Sequence, residues 1–141
     1  MSTATNPVTT SPTFIPTLTR PGDTQKLVRR ICNDFYQNRP DGLIGNDDCG
    51  QMSAWYLFSA MGLYPVNPVS GEFVFGAPQI ARATLDVCKG NTFTMEAKNL
   101  SEENMYVEKI EWNGKPYERP FTTYREIMQG GTLTFYMTDR P

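Results

Sequence analysis

Two adjacent carboxylates, Asp47 and Asp48, stand between two glycines in the stretch IGNDDCGQMSAWYLFSAMGLYP, residues 44–65. The apolar, aromatic-rich run that follows them predicts a helix over residues 50–61. A carboxylate just before a helix lies near unsatisfied backbone N–H groups and the positive end of the helix dipole, and both favour its ionised form. An ionised carboxylate held rigidly beside a cavity suits a general base that activates water.

The acid pair also has a simpler interpretation. Aspartate is a preferred N-cap residue because its side chain accepts hydrogen bonds from the first helical turn. Position alone favours this structural role, for Asp47 or for Asp48, over catalysis. A Ca²⁺-binding loop is a third alternative, but the sequence lacks the D-x-D-x-D-G pattern of such loops.

The residue types exclude several kinds of chemistry. The chain contains no histidine, which rules out a Ser-His-Asp triad, a Cys-His dyad and a histidine-ligated metal within it. The cysteines are Cys32, Cys49 and Cys88, and no pair of them has metal-ligand spacing. We expect free and mostly buried thiols, and no metal site built from these residues.

Composition narrows the class of protein. Hydrophobic residues make up 39% and charged residues 20%, with a net charge of −2. No basic patch indicates a nucleic-acid partner, and no apolar run approaches the roughly 18 residues of a membrane span. Residues 1–20 are rich in Ser, Thr and Pro and carry no charge before Arg20. This segment is predicted to be a disordered leader, and it lacks the pattern of a signal peptide.

The elements that must position the acid pair begin with a helix predicted over residues 23–37. Its apolar residues form one stripe, with Asp23 as the expected N-cap. The second helix is apolar nearly all round and should end at Gly62 in a left-handed cap. Such a helix is normally buried on most sides, so residues 21–64 resemble a fragment of a larger helical layer.

The second half, residues 65–141, alternates apolar and polar residues in short runs, as strands do. Asn113-Gly114 is a strong signal for a type I′ hairpin turn. We therefore expect five or six strands in an antiparallel sheet or small sandwich. The predicted fold class is α+β, with two helices followed by the sheet.

The aromatic residues of the second helix have two interpretations. Trp55 and its neighbours could form a platform for the apolar face of a sugar ring, which makes Trp55 a candidate for substrate binding. At helical spacing, however, such side chains more often belong to the core.

The acid pair and its surroundings resemble a known family. The stretch DGLIGNDDCGQMSAWYLFSAMGLYPVNPVSGEFVFGAP closely resembles the signature near the C-terminus of glycoside hydrolase family 92, the calcium-dependent exo-acting α-mannosidases. The preceding TQKLVRRICNDFYQNRP and the final REIMQGGTLTFYMTDRP resemble the flanking helix and closing strand of that family. The resemblance covers roughly residues 21–141 and no part of residues 1–20.

The resemblance implies a fold and a mechanism. Family members are several times longer and combine a β-sandwich with an (α/α)₆ barrel, so the two helices here would be part of that barrel. They act on α-mannoside glycans with inversion, which requires an acid and a base about 6.5–9.5 Å apart. Asp48 would be the base, with Asp47 or Asn46 orienting the water.

The resemblance also implies what lies elsewhere. The general acid is a glutamate far upstream in the family, and no segment of this chain matches its motif. Most of the calcium site should lie upstream as well, so we expect this chain alone to bind no calcium and to be inactive. Family members are usually secreted or periplasmic.

Two other functions stay open. The C-terminal strands could form a non-catalytic carbohydrate-binding or interaction module, with Tyr106, Tyr117 and Tyr136 as its platform. Alternatively, the chain is a truncated product that self-associates to cover its apolar helix, because a large exposed apolar patch is rare in monomers.

Overall fold

The computed structural model describes residues 21–141, so the predicted leader lies outside the described residues. The two longer helices precede all the strands, and one six-residue helix lies between the last two strands, which confirms the α+β class. No helix within it is long and apolar enough to cross a bilayer. The helices are α1 (Pro21–Phe35), α2 (Gln51–Ala60) and α3 (Tyr124–Gln129), with single 3-10 turns at Asp48–Gly50 and Cys88–Gly90.

The helix boundaries differ slightly from the sequence prediction. Helix α1 already includes Pro21, so Asp23 lies in the first turn and the N-cap prediction for it is wrong. The helix also ends before residue 37, because Tyr36 pairs with Leu43 in an isolated bridge. Gly62 adopts φ +73°, which confirms the left-handed cap after α2.

Residues 21–141 form eight strands in two sheets. One sheet has three antiparallel strands in the order β1-β2-β7, and the other has five in the order β3-β4-β8-β5-β6. The strands are β1 (Leu63–Tyr64), β2 (Glu72–Phe75), β3 (Arg82–Asp86), β4 (Thr92–Lys98), β5 (Tyr106–Trp112), β6 (Lys115–Pro116), β7 (Phe121–Thr123) and β8 (Gly131–Thr138).

One pair of neighbours, β4 and β8, runs parallel, so the larger sheet is mixed and not wholly antiparallel. The sequence-based expectation did not include this pair, because alternation shows which residues share a face and not which strand lies beside which. The hairpin prediction is confirmed between β5 and β6, where Asn113 and Gly114 both have positive φ.

The core lies on one face of the five-stranded sheet. Alternate residues of the neighbouring strands β4 and β8 are buried there, among them Phe93 and Met95 of β4 and Leu133 and Phe135 of β8. Phe58 and Met61, from α2 and the residue after it, pack against this core together with two phenylalanines of β2. The larger sheet therefore anchors the helix that follows the acid pair.

Helix α2 is only partly covered by residues 21–141. Trp55 is buried with Cys32 of α1, and Met52 and Ala60 are buried as well. Leu57, on another face, is 61% exposed. The burial expected on most sides of α2 is therefore not met within residues 21–141. Incomplete burial of this kind is expected of a helix taken from a larger helical layer.

The cysteine prediction is partly wrong. All three cysteines are free, but only Cys32 is buried, whereas Cys49 and Cys88 are exposed. Both exposed cysteines lie in the 3-10 turns that join regular elements, where a side chain has few neighbours.

Replacing Leu133 with alanine should lower the free energy of unfolding by about 2–5 kcal/mol, because its side chain is fully buried and leaves a cavity. Urea denaturation measures the change. Leu85→Ala on the edge strand β3 is the matched control, since that leucine is 39% exposed, and it should cost less than about 1 kcal/mol. Equal losses for both variants would contradict the placement of the core.

Candidate functional site

The side chain of Asp47 folds onto the first turn of α2. Its Oδ1 accepts hydrogen bonds from the backbone N–H groups of Met52 at 2.8 Å and Ser53 at 3.0 Å. Its Oδ2 accepts a third from the Ser53 hydroxyl at 2.5 Å. We call this set of three bonds the Asp47 clamp. It satisfies two of the N–H groups that a helix start leaves without partners.

Asp47 lies four residues before the first residue of α2, and the backbone conformation between them lets its side chain reach the first turn. Cys49 and Gly50 both adopt left-handed conformations, with φ of 55° and 77°. The amide of Gly50 also donates to the Asp47 carbonyl at 3.0 Å, which closes a tight turn. A left-handed non-glycine residue such as Cys49 costs about 1 kcal/mol, so surrounding contacts must hold it there.

The clamp determines the acid–base character of Asp47. The Ser53 hydroxyl, the Ser53 amide and the Met52 amide hold the pKa of the Asp47 carboxyl below its ordinary value. Asp47 is therefore ionised at neutral pH, yet both its oxygens already accept hydrogen bonds. The N-cap position of α2 is Gly50, and the Asp47 side chain supplies the capping bonds from three residues upstream. A direct catalytic role for Asp47 stays a prediction.

Asp48 is placed differently from its neighbour. It is exposed and opens the 3-10 turn, and its carboxylate receives no hydrogen bond or ion pair from residues 21–141. Asn46, on the other side of Asp47, is exposed as well. The structure thus brings all three polar side chains of the motif onto one loop, and it leaves Asp48 and Asn46 open to other molecules.

Trp55 is buried where α2 packs against α1 and is not at the surface. The residue is 1% exposed, and its ring stacks on Tyr36 with 5.8 Å between ring centroids. Tyr36 in turn stacks on Tyr56 at 4.8 Å. The core interpretation of Trp55 fits this position, and direct contact between Trp55 and a sugar stays a prediction.

The two tyrosines, by contrast, border open space. They line a groove of about 580 Å³ that also includes Arg39, Ser53 and Leu57. The groove adjoins the Asp47 clamp, because Ser53 belongs to both. Tyr36 carries no sequence signal for a place in the site, because its ring partners Trp55 and Tyr56 belong to α2, distant along the chain.

Tyr36 supports the start of α2 from the groove side. Its hydroxyl donates to the Met52 carbonyl at 3.2 Å. Burial is the main reason that the pKa of Tyr36 is raised to about 12, with smaller contributions from Cys32 and Asp47. The phenol therefore stays protonated and keeps donating this bond across the neutral pH range.

The tyrosines of the C-terminal strands are covered on at least one side. Tyr117 packs against Phe75 and Trp112, with the Arg119 guanidinium above its ring. The Lys109 ammonium lies 4.0 Å from the centre of the Tyr136 ring, and Tyr106 is half-buried. These rings are spread over different neighbours and do not share one open platform.

The acidic and thiol side chains of the described residues are spread apart. Within residues 21–141, no three His, Cys, Asp or Glu side chains come together as a group that could hold a metal ion. Asp47 and Asp48 are adjacent, but the clamp directs one of them at protein donors. We assign no calcium ligand to this part of the chain.

The sequence matches one protein family over most of its length. The sequence model of the glycosyl hydrolase family 92 catalytic domain aligns with residues 6–139. The alignment begins well before residue 21, so the likeness extends further upstream than the motifs alone indicated. A sequence relative, described as an uncharacterized secreted glycosidase of Arthroderma benhamiae, is 29% identical over 117 residues, which are 81% of this chain and 15% of that protein.

Solved structures of two Bacteroides thetaiotaomicron proteins are similar in fold and sequence. One, a family GH92 α-mannosidase, is 44% identical with a TM-score of 0.80 over 86% of this chain and 16% of its own. The other, a family GH92 inverting mannosidase, is 36% identical with a TM-score of 0.78 over 86% and 17%. The chain thus spans about one sixth of each relative.

Replacing Asp47 with alanine should lower the melting temperature at pH 7 by about 2–6 °C, because the first turn of α2 loses its acceptor. A lowered pKa means that the clamp stabilises the fold above the ordinary pKa of aspartate and loses this effect as pH falls through the lower folded value. The difference between the two proteins should therefore shrink below about pH 4.

Differential scanning calorimetry at pH 7, 4 and 2.5 measures this difference. Asp41→Ala is the matched control, because Asp41 is an exposed carboxylate in a nearby loop, paired with Arg39 at 3.3 Å. Its effect should be small at every pH. A difference between Asp47→Ala and the parent chain that grows toward low pH would contradict the clamp.

Proposed function

Because the chain belongs to glycosyl hydrolase family 92, we propose that it forms the C-terminal part of an inverting exo-α-mannosidase and supplies its general base, Asp48. The substrates are then α-mannoside glycans. The two similar Bacteroides proteins, an α-mannosidase and an inverting mannosidase, support the substrate class and the stereochemistry. The description of the Arthroderma relative as secreted supports an extracellular site of action.

The observation that carries this proposal is the division of roles between two adjacent aspartates. Asp47 is ionised, and both its oxygens accept hydrogen bonds from the first turn of α2. Asp48 is exposed and receives no bond from residues 21–141. A general base must keep lone pairs for the substrate water. Of the two aspartates, only Asp48 has a carboxylate without hydrogen bonds from residues 21–141.

The reaction follows from this arrangement. Asp48 accepts a proton from a water molecule while the water oxygen bonds to the anomeric carbon of mannose. The bond from that carbon to the leaving oxygen breaks, and a general acid on the opposite side protonates the oxygen. The product is mannose of inverted configuration, and the acid and base lie about 6.5–9.5 Å apart to accommodate the water. The exposed amide of Asn46 can orient this water from the same loop.

The acid must come from outside the clamp. A general acid has to be protonated near neutral pH, which requires a raised pKa. Asp47 cannot be this acid for two reasons. Its pKa is lowered, so it is ionised at neutral pH, and it lies beside Asp48 and not on the opposite side of the sugar. We propose that another part of the enzyme supplies the acid and that this chain alone is inactive. Residues 21–141 bring no three His, Cys, Asp or Glu side chains together, and no step is assigned to calcium.

The groove beside the clamp gives the aromatic residues a place in this proposal. Tyr36 and Tyr56 border it, while Trp55 supports Tyr36 from below. In this proposal Trp55 holds the ring of Tyr36 in place, and Tyr36 borders the groove that receives the substrate. A substrate contact by Trp55 itself requires its ring to become accessible in the complete enzyme.

Residues 21–141 can be tested in place of the matching segment of the 44%-identical Bacteroides α-mannosidase. In this chimera, Asp48→Asn should lower kcat by about 10²- to 10⁴-fold with little change in KM, because the substrate still binds but its water is not deprotonated. Mannose release from an aryl α-mannoside, with calcium present, measures both constants.

Asp41→Asn in the same chimera is the control for loss of a nearby surface carboxylate, and it should keep the parent kcat. The isolated 141-residue chain should release no mannose in this assay. A near-normal kcat for Asp48→Asn would remove Asp48 from the base role. Turnover by the isolated chain above that of its own Asp48→Ala variant would show that the acid is not missing.

A further inference from the structure

We propose that Ser53 is a positioning residue for the general base, acting through Asp47. This inference rests on the proposed function of Asp48. Ser53 donates to Asp47 twice, from its backbone N–H to Oδ1 and from its hydroxyl to Oδ2. It is the third residue of α2 and lies at the edge of the groove that Tyr36 and Tyr56 border.

The two bonds have different consequences. Backbone amides at Oδ1 hold the Asp47 carboxylate at the helix start, and any residue at position 53 except proline supplies that donor. Only a hydroxyl at this position reaches Oδ2, at 2.5 Å. With both oxygens bonded, rotation of the carboxylate about its terminal torsion breaks at least one of these bonds. Without the hydroxyl, Oδ2 is free to turn toward water.

The orientation of Asp47 reaches Asp48 through the backbone. The two residues are adjacent, and the following turn is closed by the bond from the Gly50 amide to the Asp47 carbonyl. No bond from residues 21–141 holds the Asp48 carboxylate itself, so its direction depends on this loop alone. A misplacement of about 1 Å in a catalytic group can reduce the rate by about 10²-fold.

The Ser53 hydroxyl also prevents a competing interaction. An unbonded Oδ2 on Asp47 would be a second anionic acceptor beside Asp48. It could then hold the substrate water in a position from which attack on the sugar is not aligned. By donating to this oxygen, Ser53 reduces its capacity to accept from water and favours Asp48 as the acceptor of the substrate water.

The test uses the chimera that carries residues 21–141. Ser53→Ala should lower kcat about tenfold or more with KM nearly unchanged, because the substrate binds but base and water are misaligned. Ser53→Thr keeps a hydroxyl at this position and should recover most of kcat. Steady-state kinetics and the melting temperature are measured for each variant, so that loss of folded enzyme is separated from loss of turnover.

Ser70→Ala is the matched control. Ser70 lies in the loop between β1 and β2. Its hydroxyl also makes two bonds, donating to the Asn67 carbonyl at 2.9 Å and accepting from the Glu72 amide at 3.2 Å. It should keep the parent kcat. A folded Ser53→Ala enzyme with parental kcat, or a folded Ser53→Thr enzyme as slow as Ser53→Ala, would overturn the inference.

Failure of this inference can be distinguished from failure of the proposed function. If Asp48→Asn abolishes turnover and Ser53→Ala does not affect it, the base assignment stands and the role of Ser53 is wrong. If Asp48→Asn keeps near-normal turnover, the general-base proposal is wrong, whatever Ser53→Ala does.

Discussion

The hydrogen bonds from the first turn of α2 to the carboxylate of Asp47 are the interaction on which the site depends. The first amides of a helix have no partner within the helix. Gly50, which immediately precedes α2, has no side chain to accept from them. Asp47 fills this role because Cys49 and Gly50 turn the chain back in left-handed conformations. The loop therefore satisfies the helix with one acid and leaves the next acid, Asp48, available.

Helix α2 links this loop to the rest of the molecule. Its first turn bonds Asp47, its middle packs Trp55 against α1, and its end places Phe58 and Met61 on the core of the larger sheet. The loop is thus fixed to a helix that α1 and the larger sheet hold in place. The larger sheet therefore supports the site through α2, although it contributes none of the polar residues Asn46, Asp47 and Asp48.

Sequence patterns predicted the features that depend on local chemistry. The two-helix order, the hairpin at Asn113-Gly114 and the left-handed cap at Gly62 each follow from residue types with strong conformational preferences. The parallel pairing of β4 with β8 did not follow, because neighbouring strands are chosen by the packing of distant segments. Nor could the sequence decide which aspartate caps α2. That choice depends on a positive φ at Cys49, and cysteine carries no signal for it.

The claim that Asp47 is a structural acceptor is tested most directly by nuclear magnetic resonance on the 141-residue chain. The side-chain carboxyl carbon of Asp47 and the amide protons of Met52 and Ser53 are followed as the pH falls from 7 to 2. We expect all three signals to change with one shared midpoint, below the ordinary pKa of aspartate, because protonation breaks the bonds that join them. A midpoint at or above that value, or amide protons that do not respond when Asp47 titrates, would contradict the account.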